Sequence, residues 1–147
     1  MKSLFEEDFI YEIEDRLEKL SSDKAALWGK MNAGQMVWHC QGPLNIMLQK
    51  EDYGIKPNWL AKVFFKKSLY NDRKWSKNLP TARFLKTKET KDFESEKQVL
   101  HSLIDEVKQQ RTKQNWGSHP GFGHFTDQQW GQMQYKHLDH HLRQFGV

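Results

Sequence analysis

Residues 126–146 read TDQQWGQMQYKHLDHHLRQFG, and the periodicity of this stretch decides the fold. Thr126 followed three residues later by Gln129 forms a capping-box pattern, which marks the start of a helix. No proline interrupts the run to Gln144, and Gly146 is a plausible stop. Within this helix His137 and His141 are four residues apart, so their imidazoles leave the same face at neighbouring heights and can grip one ion. Two ligands bind weakly, so a third has to come from another element. His39, placed mid-helix between apolar neighbours Met36, Trp38 and Cys40, is the natural candidate. Three imidazoles leave a coordination position open for water or substrate, the arrangement of a catalytic rather than a structural site. Spacing alone also permits a plainer reading, with His39 as a hydrogen-bonded core residue and the C-terminal histidines on a solvated face. His140 lies about 100° around the helix from His141, so it either faces out or supports the ligands. The His137/His140 pair is the competing ligand choice.

Three further long helical segments precede this one. The first is expected to open at Ser3, with Glu6 completing a capping box, and carries Phe5, Phe9, Ile10, Ile13, Leu17 and Leu20 as one apolar stripe. The second starts after Asn32, with Gln35 at the third helical position, and runs through Met36, His39, Leu44 and Met47 toward Lys50. Pro43 inside it removes one helical bond and is expected to bend it near His39. The third begins near Asp92 and places Phe93, Val99, Leu100, Leu103, Ile104 and Val107 on its apolar side. Between the second and third lies a connector from Glu51 to Lys91, with a short amphipathic helix expected over Asn58–Tyr70 and irregular chain through Asn78–Thr81. Connectors of that length inside one domain are commonly functional or pack across one end of the fold. These segments predict an all-α class and a single domain over residues 1–147.

Composition agrees with that reading. The 147 residues include six Trp, nine Phe and four Tyr as core material, against 29% charged residues. Apolar runs fall well short of the ~20 residues that cross a bilayer, and Met1–Glu7 turns acidic without the apolar stretch of a secretory signal. The lone Cys40 has no internal disulfide partner, which fits a reducing compartment, so the expectation is cytoplasmic. The net charge of +4 is unevenly placed: residues 56–91 hold eleven Lys/Arg against Asp72 and Glu89. Nothing resembling an RNA-binding or helix-turn-helix signature accompanies them. The stretch reads as a solvated connector, with no clear nucleic-acid or membrane signal. Nucleic acid or anionic lipid would be its alternative partners.

Trp130–Gly146 (WGQMQYKHLDHHLRQFG) resembles the last helix of the DinB/YfiT-like superfamily, with its H-x-x-H-H-x-x-Q type signature. Trp28–Cys40 (WGKMNAGQMVWHC) resembles the second helix of the same superfamily, where its first metal-binding histidine sits. The Ser118–Gly123 loop and the Lys77–Thr81 stretch look like a small subgroup within it. The resemblance implies a four-helix bundle holding one divalent transition metal (Zn, Ni, Fe or Mn) on three histidines, and it carries over to His39, His137 and His141. It also implies a small-molecule substrate and allows a homodimer. Two enzyme readings follow from it. In one, a low-molecular-weight thiol activated at the metal attacks an electrophile; the other is metal-dependent hydrolysis. A non-catalytic metal-binding or dimerisation module stands beside both.

Supporting residues are read from geometry. Gln35 is one turn before His39 and Gln144 three residues past His141, so each amide can face the ligand cavity and fix an imidazole tautomer or hold bound water. The plainer alternatives are a helix cap for Gln35 and an exposed polar residue for Gln144. Trp38, Trp130 and Met133 are expected in the core, and Cys40 points away from the face of His39.

Overall fold

Two reciprocal caps set the register of the helices that carry the histidines. The Asn32 side chain accepts from the Gln35 backbone N–H at 2.9 Å while the Gln35 side chain accepts from the Asn32 N–H at 3.1 Å. Thr126 and Gln129 make the same pair of bonds at 3.2 and 3.1 Å. Each cap satisfies N–H groups that a helix start leaves without partners, worth about 1 kcal/mol. The computed structural model describes residues 1–147 as five α-helices and a small two-stranded sheet. They are α1 (Glu7–Glu18), α2 (Ala33–Met47), α3 (Trp59–Tyr70), α4 (Phe93–Gln110) and α5 (Asp127–Gln144). A 3-10 turn at Arg83–Leu85 precedes α4, and β1 (Ser118–His119) pairs antiparallel with β2 (Gly123–His124) before α5. None of these helices is long and apolar enough to cross a membrane.

The core sits where α1, α2, α4 and α5 meet. Ile10, Ile13 and Leu17 of α1, Met36, Leu44 and Met47 of α2, Leu100 and Ile104 of α4, and Trp130, Leu138 and Leu142 of α5 are all buried. α2 packs on α4 and α5, α1 packs on α4 and α5, and α3 lies chiefly on α5. Charge ties the outer helices: Arg16 of α1 donates to the Asp139 carboxylate at 2.9 Å and to the Val147 carbonyl at 2.9 Å. At the end of α5 the Val147 N–H bonds the Leu142 carbonyl and the Gly146 N–H bonds that of Arg143, which closes the helix where expected.

Several elements differ from the sequence reading. Ser3 does not cap α1; its hydroxyl accepts from the Phe5 N–H, and Glu6 stands at the cap position without a side-chain bond. The Leu4 N–H instead bonds the Gly131 carbonyl, so the N-terminal segment is held to α5, with a turn from Ser3 to Glu6 leading into α1. Val99 is exposed rather than core-facing, because the apolar arc of α4 is already filled by Leu100, Leu103, Ile104 and Val107. The β hairpin was not anticipated, since two-residue strands carry no periodicity. It closes under an aromatic cluster in which His119 stacks on Trp130 at 5.7 Å between centroids, beside Phe122 and Phe125. His119 Nδ1 accepts from the Gly121 and Phe122 N–H groups at 3.0 and 3.2 Å, which leaves the proton on Nε2. Cys40 is buried, its Sγ lying 3.6 Å from Met36 Sδ, and burial pushes its thiol far above the ordinary range, so it is an inert core residue.

Two expectations follow. A Cβ on Gly34, in the first turn of α2, would collide with the backbone carbonyl of Lys91 just ahead of the Asp92 cap of α4. In an open helix Gly→Ala stabilises by about 1 kcal/mol. Here the clash is with backbone, so Gly34→Ala should destabilise by about 1–3 kcal/mol in urea unfolding; a gain in stability would refute this packing. Burial, reinforced by the Lys66 charge, lowers the His119 pKa from its ordinary 6.5 to about 4. Between those values the unfolded chain binds this proton and the folded one does not. Stability should therefore be complete above pH 6.5 and fall as the pH drops toward 4. His119→Asn, which keeps an acceptor for the turn, should make that slope shallower by up to one proton.

Candidate metal centre

His39 leaves the middle of α2 toward α5, and His137 and His141 leave adjacent turns of α5 toward α2. All three are buried, and one ring nitrogen from each lies within 4.8 Å of the others. Ring centroids are 5.0 Å apart for His39–His137, 4.5 Å for His39–His141 and 4.7 Å for His137–His141. The four-residue spacing in α5 thus places both rings on the face that meets α2.

The outer nitrogens of two ligands are fixed by acceptors. His39 Nδ1 lies 2.9 Å from the Leu85 carbonyl, which can only accept, so Nδ1 carries the proton and Nε2 presents a lone pair. His141 Nδ1 lies 2.8 Å from Gln144 Oε1. The Gln144 orientation is settled at its other end, where Nε2 donates to the Trp28 carbonyl at 2.7 Å. The amide oxygen therefore faces His141, and His141 Nε2 is also left with its lone pair inward. Gly29, at φ +84°, makes this clamp possible, because a Cβ there would run into the Gln144 amide nitrogen.

His137 completes the set. Its Nε2 lies 3.1 Å from His39 Nε2, and its Nδ1 is buried without a hydrogen-bond partner. Burial holds all three imidazoles below their ordinary pKa: His39 is lowered, with the Leu85 carbonyl opposing, and His137 and His141 are lowered strongly. Their mutual repulsion as cations adds to the shift in His137 and His141. At neutral pH the cluster is therefore three uncharged donors, the form in which histidine ligates a metal. The separation fits as well. Two nitrogens 3.1 Å apart and each ~2.0–2.1 Å from one ion subtend about 100°, between octahedral and tetrahedral. The group is built of imidazoles alone, with no carboxylate in it.

Around the ligands lies a wall of aromatic and basic side chains. His140 is buried, packs edge-on to His141 at 5.1 Å, Trp28 at 5.8 Å and Trp75 at 5.5 Å, and leaves Nδ1 without a partner. Burial and the Arg143 charge lower its pKa to about 4, so it too is neutral. Trp75 also meets His137 edge-on at 6.0 Å, and its indole N–H donates to the Ser68 carbonyl at the end of α3. Lys136, beside His137 in the chain, reaches the Ser68 and Asn71 carbonyls at 2.7 and 2.8 Å, pinning the same corner.

The structure thus brings together His39, His137 and His141, with Gln144 and His140 beside them. Gln35 is elsewhere: its oxygen closes the α2 cap and its Nε2 donates to the Glu89 carbonyl, so the plainer reading holds for it. Trp130 and Met133 are core residues, and Trp38 is half-buried under Lys91. Sequence reasoning missed the Leu85 and Trp28 contributions, which are made by backbone carbonyls and so carry no residue signature. Trp75, one of two tryptophans in the connector, was missed as well, because nothing in its local pattern ties it to the histidines.

Fold and site together define a mostly helical protein with a buried cluster of three neutral histidines that can hold a metal ion. Residues 10–146 match the family described as "Protein of unknown function (DUF1569)", and the chain belongs to that family. Comparison with curated proteins and with solved structures returns no match.

The Gln144 clamp yields a direct test. Gln144→Ala should lower the affinity for Zn2+ or Co2+ by about 10–100-fold at pH 7, measured by competition with a chromophoric chelator, with less effect on the unfolding midpoint of the metal-free chain. Unchanged affinity would mean that the His141 tautomer is set by something else.

Proposed function

We propose that His39, His137 and His141 hold one divalent transition metal, and that the protein is a metal-dependent enzyme joining a low-molecular-weight thiol to an electrophilic small molecule. The observation that carries this reading is the convergence of three neutral, buried imidazoles whose remaining nitrogens are engaged outward or sealed from water. The resemblance to the DinB/YfiT-like superfamily belongs to the same proposal, and with it the view of α1, α2, α4 and α5 as a four-helix bundle. Zn, Ni, Fe and Mn are all compatible with imidazole donors. When bound, the ion supplies a Lewis acid that favours the deprotonated form of a thiol or water at an open position.

The chain's own residues do the rest. The Leu85 carbonyl and the Gln144–Trp28 clamp hold His39 and His141 in the tautomer that points a lone pair inward. Trp28, Trp75 and His140 wall the ligands with ring edges, and their bulk limits water near the reacting sulfur. His140 Nδ1 is a buried polar atom of this wall without a hydrogen-bond partner. An all-imidazole cluster with no carboxylate favours thiol transfer over hydrolysis, in which a carboxylate commonly activates water. The thiol would lose its proton to solvent, and its sulfur lone pair would form the carbon–sulfur bond. The electrophile would release its leaving group with the bonding pair, or open its ring and take a proton back from solvent.

Cobalt substitution tests the two layers separately. About one Co2+ per chain is expected, with uptake abolished in a His39→Ala/His137→Ala variant. Adding a small thiol such as cysteine should then produce a new near-ultraviolet absorption band. Uptake without any response to thiols would retire the transferase and leave the metal centre; no uptake at all would retire both.

A further inference from the structure

The outward face of α3 meets nothing in the chain. Of the ten large apolar residues the protein leaves exposed, five lie on this twelve-residue helix: Trp59, Leu60, Val63, Phe64 and Phe65. Trp59 is 71% exposed, Val63 65% and Phe64 70%. Exposed apolar residues scattered singly are ordinary, but a contiguous set marks a surface meant to be covered. At 100° per residue Trp59, Val63, Leu60 and Phe64 fall on one continuous arc of about 140° over the first two turns.

The helix is nonetheless fastened from beneath. Asn58 caps its start by accepting from the Ala61 N–H at 3.0 Å. Leu69 and Tyr70 pack against the core, and Lys66 turns under to the His124 carbonyl and lies 4.7 Å over the Phe125 ring. Lys136 and Trp75 hold the Ser68 carbonyl at its end. A fixed base with an uncovered apolar crest is a docking element.

Charge identifies the occupant. Residues 56–71 contain Lys56, Lys62, Lys66 and Lys67 and no acidic residue. Lys56, Lys62 and Lys67 are exposed around the apolar arc, and Arg73 and Lys74 follow at the helix end. A second copy of the chain would meet this face through a two-fold axis and set like charges against one another. Tryptophan and phenylalanine at the crest, with lysines whose stems can reach past them, instead match a helix lying in the headgroup layer of an anionic membrane. We infer that α3 is an interfacial docking helix that sets Trp59, Leu60, Val63 and Phe64 into an anionic lipid surface, with Lys56, Lys62 and Lys67 on the headgroups. The inference stands independently of the metal centre.

Co-sedimentation of the full chain with phosphatidylcholine vesicles, with and without phosphatidylglycerol, tests it. Binding is expected only to the anionic vesicles, weakening by about ten-fold or more as salt rises from about 50 to about 500 mM. Val63→Ser/Phe64→Ser, at exposed positions where the fold is not at stake, should cost about ten-fold or more. Lys62→Gln/Lys67→Gln should do the same at low salt. A blue shift of tryptophan fluorescence on binding should disappear in Trp59→Phe. Absence of binding to anionic vesicles at low salt would overturn the proposal. So would binding that responds to the lysine changes but not to Val63→Ser/Phe64→Ser. A lipid-free dimer that the Val63→Ser/Phe64→Ser variant dissociates would assign the face to a second copy and overturn it equally.

Discussion

Three buried imidazoles facing one another, two of them with a lone pair turned inward, are the constraint on which the other arrangements rest. A buried acceptor without a donor costs on the order of 1–3 kcal/mol, and His39 and His141 each hold one inward because their other nitrogen is committed elsewhere. Protonation would relieve the mismatch, but burial opposes charge at all three rings. Without an ion, the one repair within the cluster is His137 Nε2 donating to His39 Nε2 at 3.1 Å, which leaves His137 Nδ1 sealed with nothing to accept from. An ion held between the rings would engage the inward lone pairs and would favour the His137 proton on Nδ1. The energetics of the three rings therefore point the same way as their geometry.

The long connector is what keeps this cluster closed. Leu85, in the 3-10 turn, lends its carbonyl to His39 and sets its side chain over Gly42 of α2, where a Cβ would collide with it. Phe84 beside it stacks on Tyr53 at 5.0 Å, and the Tyr53 hydroxyl accepts from Asn45 at 3.2 Å, so the turn is pinned to α2 from two sides. Farther back, Trp75 reaches both α3 and the histidines, and Lys136 anchors that corner through three bonds to Ser68 and Asn71. Burial lowers the Lys136 pKa to about 8, opposed by Asp72. A buried cation is tolerated here because carbonyl oxygens replace its water.

How much of this was legible depended on whether side-chain identity or backbone position carried the information. The His137–His141 spacing sits on a helix whose cap and length are written in the sequence, so the shared face follows from 3.6-residue periodicity. His39 was legible because a titratable residue in an otherwise apolar run, on a well-capped helix, has to be paired inside. Gln144 followed from the same helical geometry, whereas Gln35 has an equally good use in its own cap, and local capping won. Leu85 and Trp28 act through carbonyls that any residue possesses. Ser3 showed a capping pattern that Phe5 and Gly131 overrode by pulling the segment onto α5. The hairpin at Ser118–His124 is held by His119 and its aromatic neighbours rather than by strand propensity, so no alternation announced it.

The connector also explains why one chain combines a dry centre with an uncovered apolar face. Residues 56–91 carry eleven Lys/Arg against two acidic residues, and α3 within them buries no residue completely. Such a segment gains little from hydrophobic burial and would be marginal alone. It is held by the Lys136 bonds from α5 to the Ser68 and Asn71 carbonyls, by the Trp75 indole on Ser68, and by Leu69 and Tyr70 packed against the core. Apolar side chains on its outer surface then cost the fold little, since they are not needed inside. They remain available for a partner, while the anchor beneath them lies against the wall of the histidine cluster. Trp75 touches both sides, its indole N–H on the Ser68 carbonyl of α3 and its ring edge against His137 and His140.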